Sequence, residues 1–157
     1  MSTYTTTEEA LLAVVRASGA FTEQNSARAD FTVLDRAGVT NAAVLIQAGP
    51  SEFGDNLGGG RGAHGKRQQR HRIAIVLLQA RGQTNDGVAA VALQAARDTL
   101  IGYLDTYPRL GGASDIKRAE VVEVDVPRVR QTMTWIFQAI MVEVMTETAP
   151  ALQEGPH

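Results

Sequence analysis

At 157 residues, with 44% hydrophobic side chains and a formal net charge of -2, the chain has the size and composition of one folded domain with a core of its own. It contains no cysteine, which excludes a disulfide framework, thiolate metal sites and cysteine nucleophiles, and its small net charge excludes a global pull toward nucleic acid or anionic membrane. No apolar run approaches the roughly 18–20 residues that span a bilayer, and Met1-Ser2-Thr3-Tyr4-Thr5 lacks the basic-then-apolar order of a secretory signal.

Thr6-Thr7-Glu8-Glu9 reads as a capping box, followed by Leu11, Leu12, Val14 and Val15 at helical spacing and by Gly19 as a stop. Phe31-Thr32-Val33-Leu34 reads as a strand, and Val39–Gln47 as a second one that is apolar on both faces. Next comes a glycine-rich stretch, Gly49–His71, with no apolar periodicity and a basic end: Arg61, Lys66, Arg67, Arg70 and Arg72. An insert of this length in a compact domain is functional or disordered. Arg72–Ala80 is the clearest strand, continuously apolar and β-branched, as expected for a central position.

The spacing predicts a long helix over Gly87–Tyr107, capped by Asn85 or Asp86 and ended before Pro108. Val88, Val91, Ala92, Ala95, Ala96, Leu100, Tyr103, Leu104 and Tyr107 form its expected buried face. Lys117–Val126 alternates, with Val122, Val124 and Val126 on one side and Val121, Glu123 and Asp125 on the other. Gln131–Thr146 reads as a closing strand. Ile136, Ile140, Val142 and Val144 lie on one face, and Met133, Trp135, Phe137, Met141 and Met145 on the other. The expectation is α+β: a mostly antiparallel sheet of four to five strands, two helices on one face, and a long loop projecting between two strands. The single domain covers residues 1–147, and 148–157 read as a disordered tail.

The motifs that carry chemistry fall short on context. Gly60-Arg61-Gly62-Ala63-His64-Gly65-Lys66 matches most of a phosphate loop, but Arg67 stands where Ser or Thr must reach magnesium, and a strand follows instead of a helix. The basic run can meet nucleic-acid phosphates, but no aromatic is interleaved with it for stacking. His64 and His71 have no third metal ligand at standard spacing and read as exposed loop histidines. Glu123 and Asp125, about 7 Å apart on one strand, have the separation of paired acid–base carboxylates but no neighbouring nucleophile, and read as an acidic row. Trp135 and Phe137 read as core or subunit contacts. No catalytic, cofactor or metal residue is assigned, and a non-enzymatic role is expected.

The order of these parts resembles the tail terminator, or tail-completion, proteins of long-tailed bacteriophages. The resemblance lies in the short first helix, the strand Ala42–Gln47 leading into a long polar loop, the strand Arg72–Ala80 leading into a helix that ends Tyr107-Pro108-Arg109-Leu110, and the closing strand Trp135–Val144. It implies a virion protein assembled in the host cytoplasm, a homohexameric ring that caps the tail tube, ends its polymerisation and docks to a head connector. DNA would pass through the lumen without sequence-specific binding, with no cofactor and no membrane. Arg61, Lys66, Arg67, Arg70, Arg72, Glu123, Asp125, Trp135 and Phe137 are then the candidate interface residues, the cations facing acidic rows on a neighbour or on the tube. The alternatives are another neck protein, or a small nucleic-acid-binding module that uses the basic loop.

Overall fold

A computed structural model describes residues 3–54, 67–81, 86–112, 115–128 and 134–148. Along the chain come α1 (Thr3–Ala17), β1 (Ser26–Arg28), a 3-10 turn (Phe31–Asp35), β2 (Asn41–Gln47), β3 (Glu52–Gly54), β4 (Arg67–Ala80), α2 (Asp86–Thr106), β5 (Ile116–Val124) and β6 (Trp135–Thr148). The fold is α+β. Among the described residues six strands make one mixed sheet in the order β1-β2-β4-β6-β5, with β3 added to β4. Every pairing is antiparallel except β1 with β2. The two strands that the sequence did not suggest, β1 and β3, are three residues each, too short to carry a periodic signal.

The sheet is built around one long ribbon, because β4 and β6 pair from Arg67↔Thr148 to Ala80↔Trp135. Period two divides their side chains. Ile73, Ile75, Leu77, Ile136, Ile140, Val142 and Val144 join Leu11, Val15, Leu93, Leu100 and Leu104 in the main core beneath the two helices. The opposite side, here called the far face, holds a smaller cluster of Val33, Ala42, Val44 and Leu78, with Trp135 and Phe137 packed against it. Both helices thus lie on one side, as expected. Among the described residues no helix is long and apolar enough to cross a membrane. Thr148, expected as the start of the tail, is the last residue of β6; residues 149–157 and Met133 lie outside the described residues.

Three expectations are corrected. Helix α1 begins at Thr3, so Thr6–Glu9 lies inside it and makes no capping box. Gly19 does end it, at φ +86°, a conformation that favours glycine. Phe31–Leu34 is not a strand. Asp30 caps a 3-10 turn by accepting from the Thr32 N–H at 2.9 Å and from Thr32 Oγ1 at 2.6 Å. That local bonding competes successfully with a sheet ladder. The third correction concerns α2. It buries Ala89, Leu93, Leu100 and Leu104, whereas Val88, Val91, Ala92 and Ala95 of the expected face are exposed. The helix has apolar residues on two sides, and periodicity does not say which side meets the sheet.

The 3-10 turn matters because Val33, fully buried, is the residue it sets into the far-face cluster. Val33→Ala is expected to lower stability by about 2 kcal/mol, from two lost methyl groups and the residual cavity. The measurement is a urea midpoint that falls at unchanged slope. An unaltered midpoint would mean that the turn does not anchor this face.

Candidate assembly interfaces

The Gly49–His71 stretch divides in the structure. Its entrance forms β3 and its exit forms the start of β4, joined by Glu52↔Arg70, Phe53↔Gln69 and Gly54↔Gln68. Residues 55–66, with Arg61, His64 and Lys66, lie outside the described residues, as does the side chain of Arg67. β4 therefore starts five residues earlier than the apolar run suggests, on polar residues whose partners on β6 are also partly polar.

On the far face this end of the sheet is charged. Arg70 Nε lies 3.1 Å from Glu143 Oε1, within ion-pair reach but off the line of a hydrogen bond. Arg72 Nε lies 3.4 Å from the other Glu143 oxygen, and Arg70 Nη1 is 3.4 Å from Glu52. Glu120 sits directly across from Glu143, a like-charge pair, and is itself 2.9 Å from Arg118. Arg70 and Arg72 thus have acidic partners in their own chain. The Arg70–Glu52 and Arg72–Glu143 pairs, each with a half-exposed partner, add little stability and screen readily. Neutralised in this way, they give no support to a nucleic-acid site at the loop exit.

On the helix side the same end holds a buried polar chain that sequence reasoning missed. His71, expected as an exposed loop residue, is 1% exposed. Its Nδ1 is 2.7 Å from Ser51 Oγ and its Nε2 3.5 Å from Thr146 Oγ1; either hydroxyl can donate or accept, so both ring tautomers are served. Tyr4 meets the ring edge-on at 5.7 Å and donates its hydroxyl to Glu8. Buried Glu8 is in turn 2.7 Å from Arg28 Nε, and Arg28 also reaches Glu9 at 3.0 Å. Burial pushes the His71 pKa below the usual histidine range. Burial, with the Glu8 hydrogen bond, holds the Tyr4 hydroxyl protonated well above the usual phenol range. The chain ties α1, β1, β4, β6 and the β2–β3 connection together where the loop leaves the sheet. The available signal was the placement of Gln69 and His71 in phase with Ile73, Ile75 and Leu77.

The β5 edge of the sheet has a different character. β5 is an edge strand with register irregularities between Ile116 and Arg118 and between Val121 and Glu123. The second breaks the expected alternation: Val121 pairs with Val142 and packs on the core, while Glu123 is set opposite Met141. Val122, Val124 and Val126 are left exposed, Val126 at 64%. Glu123 makes no ion pair among the described residues. Asp125 is paired with Arg128 at 3.0 Å, and that bond, with the Val126 N–H, holds its carboxyl below the usual carboxylate range. Between β5 and α2 runs an open groove of about 390 Å³, walled by Ile101, Val124, Val126 and Pro127, rimmed by Arg97 and Asp98, and floored by Gln138. Gln138 is 1% exposed; its Nε2 donates to the Asp125 carbonyl at 2.6 Å, and its Oε1 is buried with no hydrogen-bond partner.

Trp135 and Phe137 are half-buried on the far face, so they serve the second core and also present an edge to solvent. The candidate interface residues are therefore not one patch. Arg70 and Arg72 lie on the charged end of the far face, Trp135 and Phe137 on its apolar end, and Glu123 and Asp125 on or beside the β5 edge. Among the described residues no three His, Asp or Glu side chains converge as metal ligands would. No protein-family model matches the chain, and no curated protein matches it either.

Proposed function

We propose that the chain is a structural virion protein that resembles the phage tail terminators. It forms a ring on the end of the tail tube, stops polymerisation and presents the head-docking surface. The observation that carries this reading is the placement of exposed apolar residues on two unlike surfaces. At one edge of the sheet Val122 and Val124 on β5 and Val126 just past it are exposed; at the other edge stands Phe31, with Trp135 and Phe137 partly exposed on the far face. Two unlike surfaces that pair head to tail build a ring where the rotation between copies closes and an open filament where it does not. The charged far-face end, with Arg70, Arg72 and Glu143, is a polar surface suited to a tube protein or a head connector. DNA traverses the ring without sequence-specific contact.

Electron microscopy and native mass spectrometry of the purified full chain test this. Rings of a fixed copy number, hexameric by the resemblance, are the expected result. A monomer at every concentration, also in the presence of tail tubes, would overturn the reading.

A further inference from the structure

We propose that the far face of the sheet is the contact for a second copy of this chain, laid face to face about a two-fold axis that runs along the strands between β4 and β6. The inference goes beyond the ring reading and needs no ring. It uses the face that reading offers to a tube protein or connector, so pairing and docking exclude each other.

The face is covered on one side. The 3-10 turn and Val39 pack over Ala42, Val44 and Leu78 of β2 and β4. Along β6 the same face leaves Trp135, Phe137, Ala139 and Met141 half-buried. A strand that is apolar on both faces at the centre of a sheet calls for a cover on both. The charged end beside this strip suits neither a polyanion nor a polycation, because Arg70, Arg72 and Arg118 are matched by Glu52, Glu120 and Glu143. A copy of the same neutral surface is not repelled by it.

The strand register selects that copy. Partners across the β4–β6 line differ in sign or in size: Arg72 stands opposite Glu143, Ala74 opposite Met141 and Val76 opposite Ala139. Rotation about an axis on that line sets each residue over its partner's equivalent in the second copy. Arg72 then faces Glu143, and Glu143 faces Arg72. Small Ala74 faces long Met141, and Val76 faces small Ala139. One row further out, Glu52 lies beyond Arg70 and Arg118 beyond Met145, so the same rotation sets Glu52 over Arg118. The turn that stands on the β2 side of each copy comes to lie over the bare β6 side of the other, within the roughly 10 Å that separates two packed sheets. A two-fold across the strands would instead press the charged end onto Trp135 and Phe137 and take its charges out of water with no new partner. The contact is isologous, so it closes on two copies and does not extend into a filament.

Charge reversal tests it. Full-length Arg72→Glu and Glu143→Arg each set like charges across the axis at both crossings, whereas a mixture of the two variants restores opposite charges at both. Mixing leaves the contacts within each chain as they were, so recovery reports a contact between chains. The parent is expected to sediment in pairs, each variant at half the parent mass with a dissociation constant raised roughly tenfold or more, and the equimolar mixture at the parent mass again. Val76→Glu, at the centre of the contact, should halve the mass as well and serves where a charge-reversed chain does not fold. A parent that is monomeric at every concentration, variants that keep the parent mass, or a mixture that stays at half of it would overturn this contact. Rings of unchanged mass built by the variants would overturn it and leave the ring reading standing. Pairs lost and regained as described, with no ring by electron microscopy, would support this contact and remove the ring reading.

Discussion

Glu8→Ala is expected to lower stability by about 3 kcal/mol, and the thermal midpoint by roughly 6–12 °C for a domain of this size. Glu8 is a carboxylate on the buried side of an N-terminal helix, where a hydrophobic residue is the ordinary choice. It is held there by the Arg28 guanidinium at 2.7 Å and by the Tyr4 hydroxyl. Its removal leaves that hydroxyl without its acceptor and takes one of two partners from half-buried Arg28, which keeps Glu9 at 3.0 Å. Breaking a fully buried pair costs about 3–5 kcal/mol, and the surviving Glu9 contact places this case at the low end. Glu8→Gln retains the bond to Tyr4 and should lose about half as much. A double-mutant cycle with Arg28→Met separates the pair from simple packing: a coupling energy near zero would show that the two side chains do not act together.

The second large effect depends on pH. His71 is neutral in the folded protein because burial disfavours its charged form. Above about pH 6.5 both folded and unfolded chains carry it neutral, and it adds no pH dependence. As the pH falls below that value the unfolded chain binds a proton that the folded chain refuses, so stability declines. The slope approaches about 1.4 kcal/mol per pH unit and levels off below the depressed native pKa. His71→Gln, which keeps a polar side chain between Ser51 and Thr146, should abolish that component of the slope while leaving stability at pH 8 within about 1.5 kcal/mol of the parent. Urea denaturation at pH 8, 7, 6 and 5 provides the test. An identical decline in both proteins would mean that other groups carry the acid sensitivity. Since His71 contacts Ser51 and Thr146 at the base of the β3–β4 connection, acidification should loosen that end of the sheet first.

The two effects share one site, the polar chain where the glycine-rich stretch leaves the sheet, and this site was the least legible part of the sequence. Tyr4, Glu8, Arg28, Ser51, His71 and Thr146 come from four elements and the β2–β3 connection, and nothing in their spacing joins them. Glu8 fits a capping-box pattern by itself; only Arg28, brought over α1 by the parallel β1–β2 pairing, gives it another use. His71 sits at the edge of a basic glycine-rich run, yet it shares the phase of Ile73, Ile75 and Leu77, and that phase decides its burial.

Much else was set locally. The continuous apolar run at Ile73–Leu78 and the two-sided apolar pattern at Trp135–Met145 specify long central strands, and both belong to the central ribbon. The position of α2 follows from its apolar period and from Pro108, because these act through the backbone of their own segment. What pairing and packing alone could decide is which of two apolar surfaces a segment buries. α2 sets Leu93 and Leu100 inward and leaves Val88 and Val91 outside, and a bulge in β5 turns Val121 inward and leaves Val122 exposed. Phe31–Leu34 has strand-forming composition, but one Asp30 side chain closes it into a turn and places Val33 on the far face. A one-residue change in register exchanges the faces of a strand at no cost to its composition, so the sequence names the apolar residues and the fold selects those that remain available to a neighbour.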